Sequence, residues 1–405
     1  MSKRIPLGIV VALLLAAVLC SSFISINYVV NKNNQLLVDL PARADQYSDL
    51  AEIEEIVRRE YFGEIDSDVV DRSLAEGFLS GLGDSFCYYI AAEDFDAYTN
   101  LVSGKVSGIG ISVYYEKETD NLVISNIEHG SPADNAGFEI NNQIISVNGK
   151  NVSFENYEEL IAEISDSYDT KLKLVYAKSA EDKKDQHSEA EVKSGYSQLS
   201  CFKSVENGIG YIRIVNFFDT TVGEFVEIMN NFIQDGISDI IIDLRNSSGT
   251  NLDVAAEMID FIVPVGNEGT GAIFTARNSE GAIVKQASSD ADSLSCNIAL
   301  LTNRGTECAA ELLACDLRDF GKAVIVGEKT SGHGSLQELF RLEDGSAITL
   351  TVAEIIPYTS VSFNGVGIEP DLLVEVADGF YNNLNSIALS DDPQFQAAAT
   401  FLKAK

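Results

Sequence analysis

The sequence predicts a multidomain α/β protein with four successive parts. These are an N-terminal apolar helix, a helical region, a β-rich module with two helices, and an α/β core. Three observations predict this. Ile5 to Asn31 carries no charged side chain. Residues 45 to 100 repeat apolar side chains at helical spacing. From about residue 201, buried-type strands alternate with amphipathic helices. A length of 405 residues calls for two or three domains. The expected boundaries are a signal-anchor segment over 1–31, a helical region over 32–102, the β-rich module over 103–180, a linker over 181–200, the core over 201–376 and a closing helical segment over 377–405.

Composition excludes several functions. The chain is 45% hydrophobic, so it can bury a sizeable core. Lys plus Arg is 28 against 62 Asp plus Glu, a net charge of -34. Gripping a nucleic-acid backbone takes clustered cations, so no nucleic-acid partner is expected. Three histidines, His129, His187 and His333, are too few for a His-rich metal site, and no metal or cofactor is implied. The six cysteines, at 20, 87, 201, 296, 308 and 315, are irregular and contain no CxxC pair.

In chain order, Lys3 and Arg4 precede a stretch whose core, Leu7 to Val30, is long enough to cross a bilayer. A positive flank stays in the cytoplasm, so the rest of the chain is expected outside, tethered to the cell membrane by a single pass. The competing reading is a cleaved signal peptide; no A-x-A site is present, although Ser21-Ser22 is a weak substitute. Leu50, Ile53, Ile56 and Val57 mark one helix and Val70, Leu74, Phe78 and Leu79 a second, while Ala92-Glu93-Asp94 opens a third. Val106–Tyr114 and Leu122–Ile127 read as strands, followed by a turn and short helix from Gly130. Gln143–Val147 is a strand ending at the hairpin signal Asn148-Gly149, Tyr157–Ile164 a helix and Lys171–Tyr176 a strand. The charged and polar run over 179–195, which holds His187 with no functional role, reads as a solvated hairpin or a linker. In the core, strands are expected over Gly210–Val215, Asp239–Leu244, Ile298–Thr302 and Ala323–Val326. Helices are expected over Val222–Gln234, Leu252–Ile262, Glu307–Asp319 and 391–405.

Gly108-Ile109-Gly110-Ile111, Gly130-Ser131-Pro132-Ala133-Asp134-Asn135-Ala136-Gly137 and Ile144-Ile145-Ser146-Val147-Asn148-Gly149-Lys150 together resemble a PDZ domain of bacterial protease type. A glycine-rich loop before a strand lets backbone N–H groups converge on a peptide carboxylate, and the open strand edge adds the peptide. Ile109, Gly110 and Ile111 are therefore the expected carboxylate site. Tyr61-Phe62-Gly63, Ile242-Asp243-Leu244-Arg245-Asn246, Val326-Gly327-Glu328-Lys329-Thr330, Gly365-Val366-Gly367-Ile368-Glu369-Pro370-Asp371 and Asp392-Pro393-Gln394 extend the resemblance. Residues 45 to 405 look like the C-terminal processing peptidases, also called tail-specific proteases. That resemblance implies a peptidase core of that type, protein or peptide substrates with an accessible C-terminus, and a homodimer through the helical region.

That family uses a serine in a motif of the form N-x-G-S-A-S-A-S-E and a lysine in G-K-G-x-x-Q. Here the first motif reads Asn303-Arg304-Gly305-Thr306-Glu307-Cys308-Ala309-Ala310-Glu311, and the second Gly332-His333-Gly334-Ser335-Leu336-Gln337. Cys308 stands at the nucleophile position and His333, 25 residues later, at the base position. The pair makes chemical sense: thiol and imidazole pKa values lie close enough that proton transfer between them costs only a few kcal/mol at most. Gln337 is expected to accept the second ring N–H and fix the tautomer, and the helix beginning at Cys308 to lower the thiol pKa. The glycine-rich loop of the family is reduced to Asn246-Ser247-Ser248-Gly249-Thr250, and the N–H groups of Gly249 and Ala309 are the expected oxyanion hole. Glu311 is read as a cap or brace of that helix, Lys329 and His129 as surface groups, and Cys87, Cys201 and Cys296 as buried thiols. The expectation is a membrane-anchored, extracytoplasmic cysteine endopeptidase. Its rivals are a catalytically inactive tail-binding homologue and a transpeptidase using the same thioester.

Overall fold

The computed structural model describes residues 47–178, 186–263, 272–289, 294–377, 379–381, 384 and 387–404. The expected membrane helix lies outside these residues, and among the described residues no helix is long and apolar enough to cross a membrane. The chain divides into two units, Met1–Ala75 and Glu76–Lys405.

The first unit is helical where described. α1 spans residues 47–60, and α2, Ser67–Ser80, begins in this unit. The apolar stripe Leu50, Ile53, Ile56 and Val57 recurs as expected but is exposed. Opposite-charge pairs one turn apart, Arg58 with Glu54 and Arg59 with Glu55, support α1.

The second unit opens with β1, Tyr88–Ile90, and α3, Phe95–Val102. β1 departs from the helical region expected over 32–102. Its backbone pairs antiparallel with Ala347–Thr349, and local periodicity cannot register a partner so distant in the chain. The β-rich module then runs β2 (Lys105–Val106), β3 (Ile111–Glu116), β4 (Asn121–Ile127), α4 (Pro132–Asn135), β5 (Gln143–Val147), β6 (Lys150–Asn151), α5 (Tyr157–Asp166) and β7 (Lys171–Ala177). It continues into β8, Ser188–Lys193, which pairs with β7 from Lys171↔Lys193 to Tyr176↔Ser188. Of the two expectations for this stretch, a solvated hairpin or a linker, the antiparallel return of β8 onto β7 agrees with the hairpin, and the linker bound over 181–200 is corrected: most of its described residues are sheet. β8 alternates exposed positions with half-buried ones and the buried Val192 at the sheet edge, so its polar sequence resembles a solvated linker. β9, Tyr196–Ser197, pairs back onto β2. The module's sheet runs β3-β4-β5-β7-β8, with Ile109, Leu122, Ile124, Ile144, Leu160 and Leu174 at the centre of its core.

The core begins at β10 (Cys201–Glu206) and β11 (Ile209–Ile214), followed by α6 (Thr221–Gln234), β12 (Asp239–Asp243) and α7 (Leu252–Ile262). β13 (Ala272–Arg277), β14 (Ile283–Ser288), β15 (Asn297–Thr302), α8 (Ala309–Asp319) and β16 (Ala323–Gly327) follow. β17 (Ser335–Arg341), β18 (Ala347–Ile356), β19 (Leu372–Leu373) and α9 (Pro393–Lys403) complete it. One sheet has the order β10-β11-β12-β15-β16-β19, parallel from β11 onward. Ile240, Ile241 and Ile242 are buried on both of its faces, as an apolar run in a covered parallel strand requires. α6, α7 and α8 cover one face and α9 the other. A second, antiparallel sheet, β1-β18-β13-β14 with β17 on β18, was not read from the sequence.

A buried ion cluster ties the end of β12 to α9. Arg245 has no exposed surface; it donates through Nε and Nη2 to the two oxygens of Asp243 at 2.8 and 2.6 Å, through Nη2 to Asp392 at 2.7 Å and through Nη1 to Gln394 at 2.9 Å. Tyr211 also donates to Asp243. The Arg245 charge and these donors hold the Asp243 carboxyl below its usual range against the opposing effect of burial. Arg245→Ala would strand two buried carboxylates, and denaturant unfolding should show a loss of about 3–5 kcal/mol; a loss under about 1 kcal/mol would mean the cluster is replaceable.

Candidate active site

Three loops at the carboxyl ends of β12, β15 and β16 build the site, where open parallel sheets place their ligands. The loop after β15 carries the nucleophile position. Asn303 Oδ1 accepts from the N–H groups of Asn246 and Gly305, and Thr306 Oγ1 donates to the Leu244 carbonyl at 2.8 Å. Cys308 then adopts φ 48°, ψ −102°, outside the helical region, so α8 starts at Ala309 instead of Glu307. A side chain held at positive φ is strained, and the neighbouring hydrogen bonds must hold it there.

Glu311 supplies those bonds. It lies in the first turn of α8 with no exposed surface. Its Oε2 accepts from Cys308 N–H at 3.1 Å and from His333 N–H at 2.8 Å; its Oε1 accepts from Gly332 N–H at 2.8 Å and from the Thr330 hydroxyl. One carboxylate thus joins the nucleophile loop to the loop after β16. Burial pushes its pKa up, and the four donors oppose that shift.

The base-position loop is also pinned from its other side. Gly332 accepts from Gly365 N–H, Gly334 N–H donates to Asn364 Oδ1, and Ile355 N–H donates to the Gly334 carbonyl. His333 is buried and stacks on Phe86, with ring centroids 3.5 Å apart and planes at 11°. Phe86 precedes β1, where its carbonyl accepts from Thr349 of β18. Burial lowers the His333 pKa, while nearby Gln337 and Asp84 pull it up.

Cys308 and His333 line one cleft of about 680 Å³, together with Phe86, Gly249, Glu307 and Gln337. Within it the expected machinery is not fully engaged. The Cys308 thiol donates to the Ser335 carbonyl at 3.9 Å, while His333 Nε2 has no hydrogen-bond partner. Gln337 Nε2 donates to the Ser335 and Thr351 hydroxyls, so its amide is committed there and its Oε1 is left buried and unpartnered. The ring-orienting bond expected of Gln337 is therefore not closed, although Gln337 lies near enough to affect the ring's pKa.

The oxyanion donors differ as well. Ala309 N–H donates to the Gly249 carbonyl at 3.1 Å, so one expected donor is already filled by the residue meant to supply the other. Gly249 has φ +134°, and a Cβ there would come within 2.7 Å of Asn216 Oδ1. Only glycine fits that backbone, which is also the backbone most able to turn over.

The thiol pKa departs from its expected depression. Burial first, then the charges of Glu311 and Glu307, push Cys308 up to about 12 against the opposing Ala309 N–H. The helix N-terminus acts as expected but is outweighed, because a buried thiolate flanked by carboxylates is disfavoured.

The remaining candidates fall into place. Ile109 is buried, and its carbonyl and that of Gly110 accept from Ala133 and Glu128 N–H groups. Gly110 has φ +77°, and a Cβ there would sit 2.2 Å from the Ser131 Cβ. Ile111 opens β3, the edge strand of its sheet. Lys329 pairs with Glu369 at 2.7 Å and His129 with Asp134 at 3.1 Å, both with substantial exposure. Cys87, Cys201 and Cys315 are buried free thiols, whereas Cys296 is half-buried. Phe86 and the bond from Glu311 to the histidine loop were missed. The turn at Gly81–Asp84 was the only nearby sequence signal, and it does not reveal a stacking partner.

Residues 208–374 match the profile of peptidase family S41, and residues 100–177 that of the PDZ domain. The chain is thus similar to a PDZ domain over 100–177 and to an S41 peptidase domain over 208–374. It is 27% identical over 351 residues to a probable CtpA-like serine protease of Staphylococcus aureus (strain COL), covering 85% of this chain and 68% of that one. It is 28% identical over 327 residues to the carboxy-terminal processing protease CtpA of Bacillus subtilis (strain 168), covering 80% and 68%. The chain spans about two thirds of the length of the curated relatives it matches. Among solved structures, the photosystem II D1 C-terminal processing protease aligns with TM-score 0.48 and 21% identity over 80% of this chain and 86% of that one.

Two measurements check this geometry. Alkylation of Cys308 in the peptide-free protein, followed by mass spectrometry, should rise with pH toward about 12, while the unfolded chain follows an ordinary thiol titration. A folded-state midpoint at or below that of the unfolded chain would contradict the buried, carboxylate-flanked thiol. With three histidines in the chain, the His333 ring is resolvable by NMR. It should titrate below the ordinary histidine value and move up toward it in Phe86→Ala, because losing the stacked ring lets water reach the imidazolium. An unchanged titration would show that Phe86 does not desolvate the ring.

Proposed function

We propose that this chain, a PDZ domain joined to an S41 peptidase domain, is an endopeptidase that captures the C-terminal tail of a protein and cuts upstream of it with a cysteine thiol. One observation carries the thiol mechanism: Cys308 and His333 line one cleft and are bound through their backbones to one buried carboxylate, Glu311. A thiol and an imidazole held in common register are the two groups a cysteine peptidase needs.

In the proposed reaction, His333 takes the Cys308 proton and the thiolate attacks the scissile carbonyl, forming a C–S bond as the carbonyl electrons move onto oxygen. Collapse of that adduct breaks the C–N bond, and His333 returns its proton to the leaving amine. Water, deprotonated by His333, hydrolyses the thioester and frees the new carboxyl terminus. Gln337 orients the ring, and the N–H groups of Gly249 and Ala309 receive the oxyanion once the Gly249 carbonyl turns away. The tail carboxylate binds at Ile109, Gly110 and Ile111, and the tail lies along the β3 edge. The uncharged stretch from Ile5 to Asn31 supports a single-pass anchor with the catalytic part outside the cytoplasm. The exposed apolar stripe of α1 is consistent with a homodimer.

A second reading has support of its own. The filled Ala309 donor and the protonated thiol suit a non-catalytic tail-binding protein equally well. The deciding experiment incubates the full chain with peptides ending in an apolar tail, with free or amidated C-termini, and analyses products by mass spectrometry. Cleavage of the free-carboxylate peptide is expected, falling by about 10³-fold or more in kcat/KM in Cys308→Ala and in His333→Ala. Binding without cleavage would replace the peptidase reading with the tail-binding one, and equal cleavage of the amidated peptide would remove the PDZ carboxylate role.

A further inference from the structure

We infer that the cleft selects cationic peptides: the substrate segment crossing Cys308 carries a lysine or arginine that pairs with Glu307, next to apolar side chains. This rests on the peptidase reading above. The acidic side chains that line the cleft are Asp219, Glu307 and Glu338; among the described residues no lysine or arginine lines it. None of the three forms an ion pair with a cation among the described residues. Elsewhere in the second unit, carboxylates do find such partners, as in Lys285 with Asp253 and Lys329 with Glu369. The cleft is thus left with negative charge that its own walls do not offset.

A second observation marks this as a place for a ligand. His333 is 4% exposed, lines the cleft, and keeps its Nε2 without a partner. Gln337 Oε1 is likewise buried and unpartnered in the same cleft. Buried polar atoms are rarely left in this condition, and a bound peptide brings both donors and acceptors. The wall beside them is apolar, with Tyr98, Leu101, Phe218 and Leu339. A lysine or arginine lays its aliphatic stem on such a wall while its head reaches an acid.

The position of Glu307 links recognition to chemistry. It immediately precedes Cys308 and is half-buried, and its charge helps keep the thiol protonated. A substrate cation at Glu307 offsets that charge and favours the thiolate. An acidic substrate side chain would instead add to three uncompensated carboxylates. The net charge of -34 draws cationic peptides toward the protein from a distance and repels anionic ones.

The test uses the full chain, its Glu307→Gln variant and its Cys308→Ala variant. Peptides share one apolar tail with a free carboxylate, so the PDZ contribution is common to all. A single arginine, glutamine or glutamate is scanned through the positions upstream of the tail. Cleavage is read as kcat/KM in low and high salt, and binding by fluorescence anisotropy on Cys308→Ala. At the best position arginine should exceed glutamate by about tenfold in kcat/KM, with the gap shrinking several-fold in Glu307→Gln and in high salt. Equal cleavage of the three series would overturn the inference while leaving the peptidase reading intact. Absent cleavage with arginine-selective, Glu307-dependent binding would overturn the peptidase reading and keep the charge selection. Absent cleavage with indifferent binding would remove both.

Discussion

The Glu311 carboxylate is the constraint on which the site depends. It is buried, and it is the common acceptor for Cys308 N–H, His333 N–H, Gly332 N–H and the Thr330 hydroxyl. Two loops from the ends of neighbouring parallel strands are thereby held in one relation. Cys308 holds its positive φ with its N–H bonded to the same carboxylate, just before the helix begins. A buried carboxylate is costly unless its oxygens are satisfied, and here four donors do so. The arrangement makes site geometry and local stability two consequences of one interaction.

A second buried carboxylate group acts one layer away. Arg245, Asp243, Asp392 and Gln394 fix the end of β12 against the start of α9. The loop that leaves β12 carries Gly249, so the ion cluster positions the base of that loop while its tip contacts Ala309. Both clusters lie at the carboxyl ends of the parallel strands, where the sheet's backbone leaves a crevice.

Several weak contacts combine at the site. The thiol rests on the Ser335 carbonyl, the imidazole on the Phe86 ring, and the Gly249 carbonyl on Ala309 N–H. Each is individually modest, and each involves a group at the expected site. Acidic neighbours reinforce the state by keeping the thiol protonated. A ligand that supplies hydrogen bonds to His333 and Gln337 while offsetting Glu307 would act on the imidazole and the thiol together, and a population shift needs such differential contact.

Much of this protein is readable from its sequence. The isoleucine run of β12, the hairpin signal at Asn148-Gly149 and the helical spacing of α6 and α7 depend on local periodicity, and each element forms within a residue or two of its expectation. The spacing of Cys308, Glu311 and His333 is likewise a property of the chain. The tertiary structure alone decided which groups are buried and what they touch. β1 exists because it pairs across the fold with β18, Phe86 meets His333 because β1 joins β18, and the polar β8 is sheet because β7 offers it an edge. The thiol pKa shows the division most directly. Sequence places Cys308 at a helix N-terminus, which lowers a thiol pKa; folding buries it beside Glu311 and Glu307, which raises it by more. Desolvation and through-space charge depend on three-dimensional surroundings that sequence spacing does not encode.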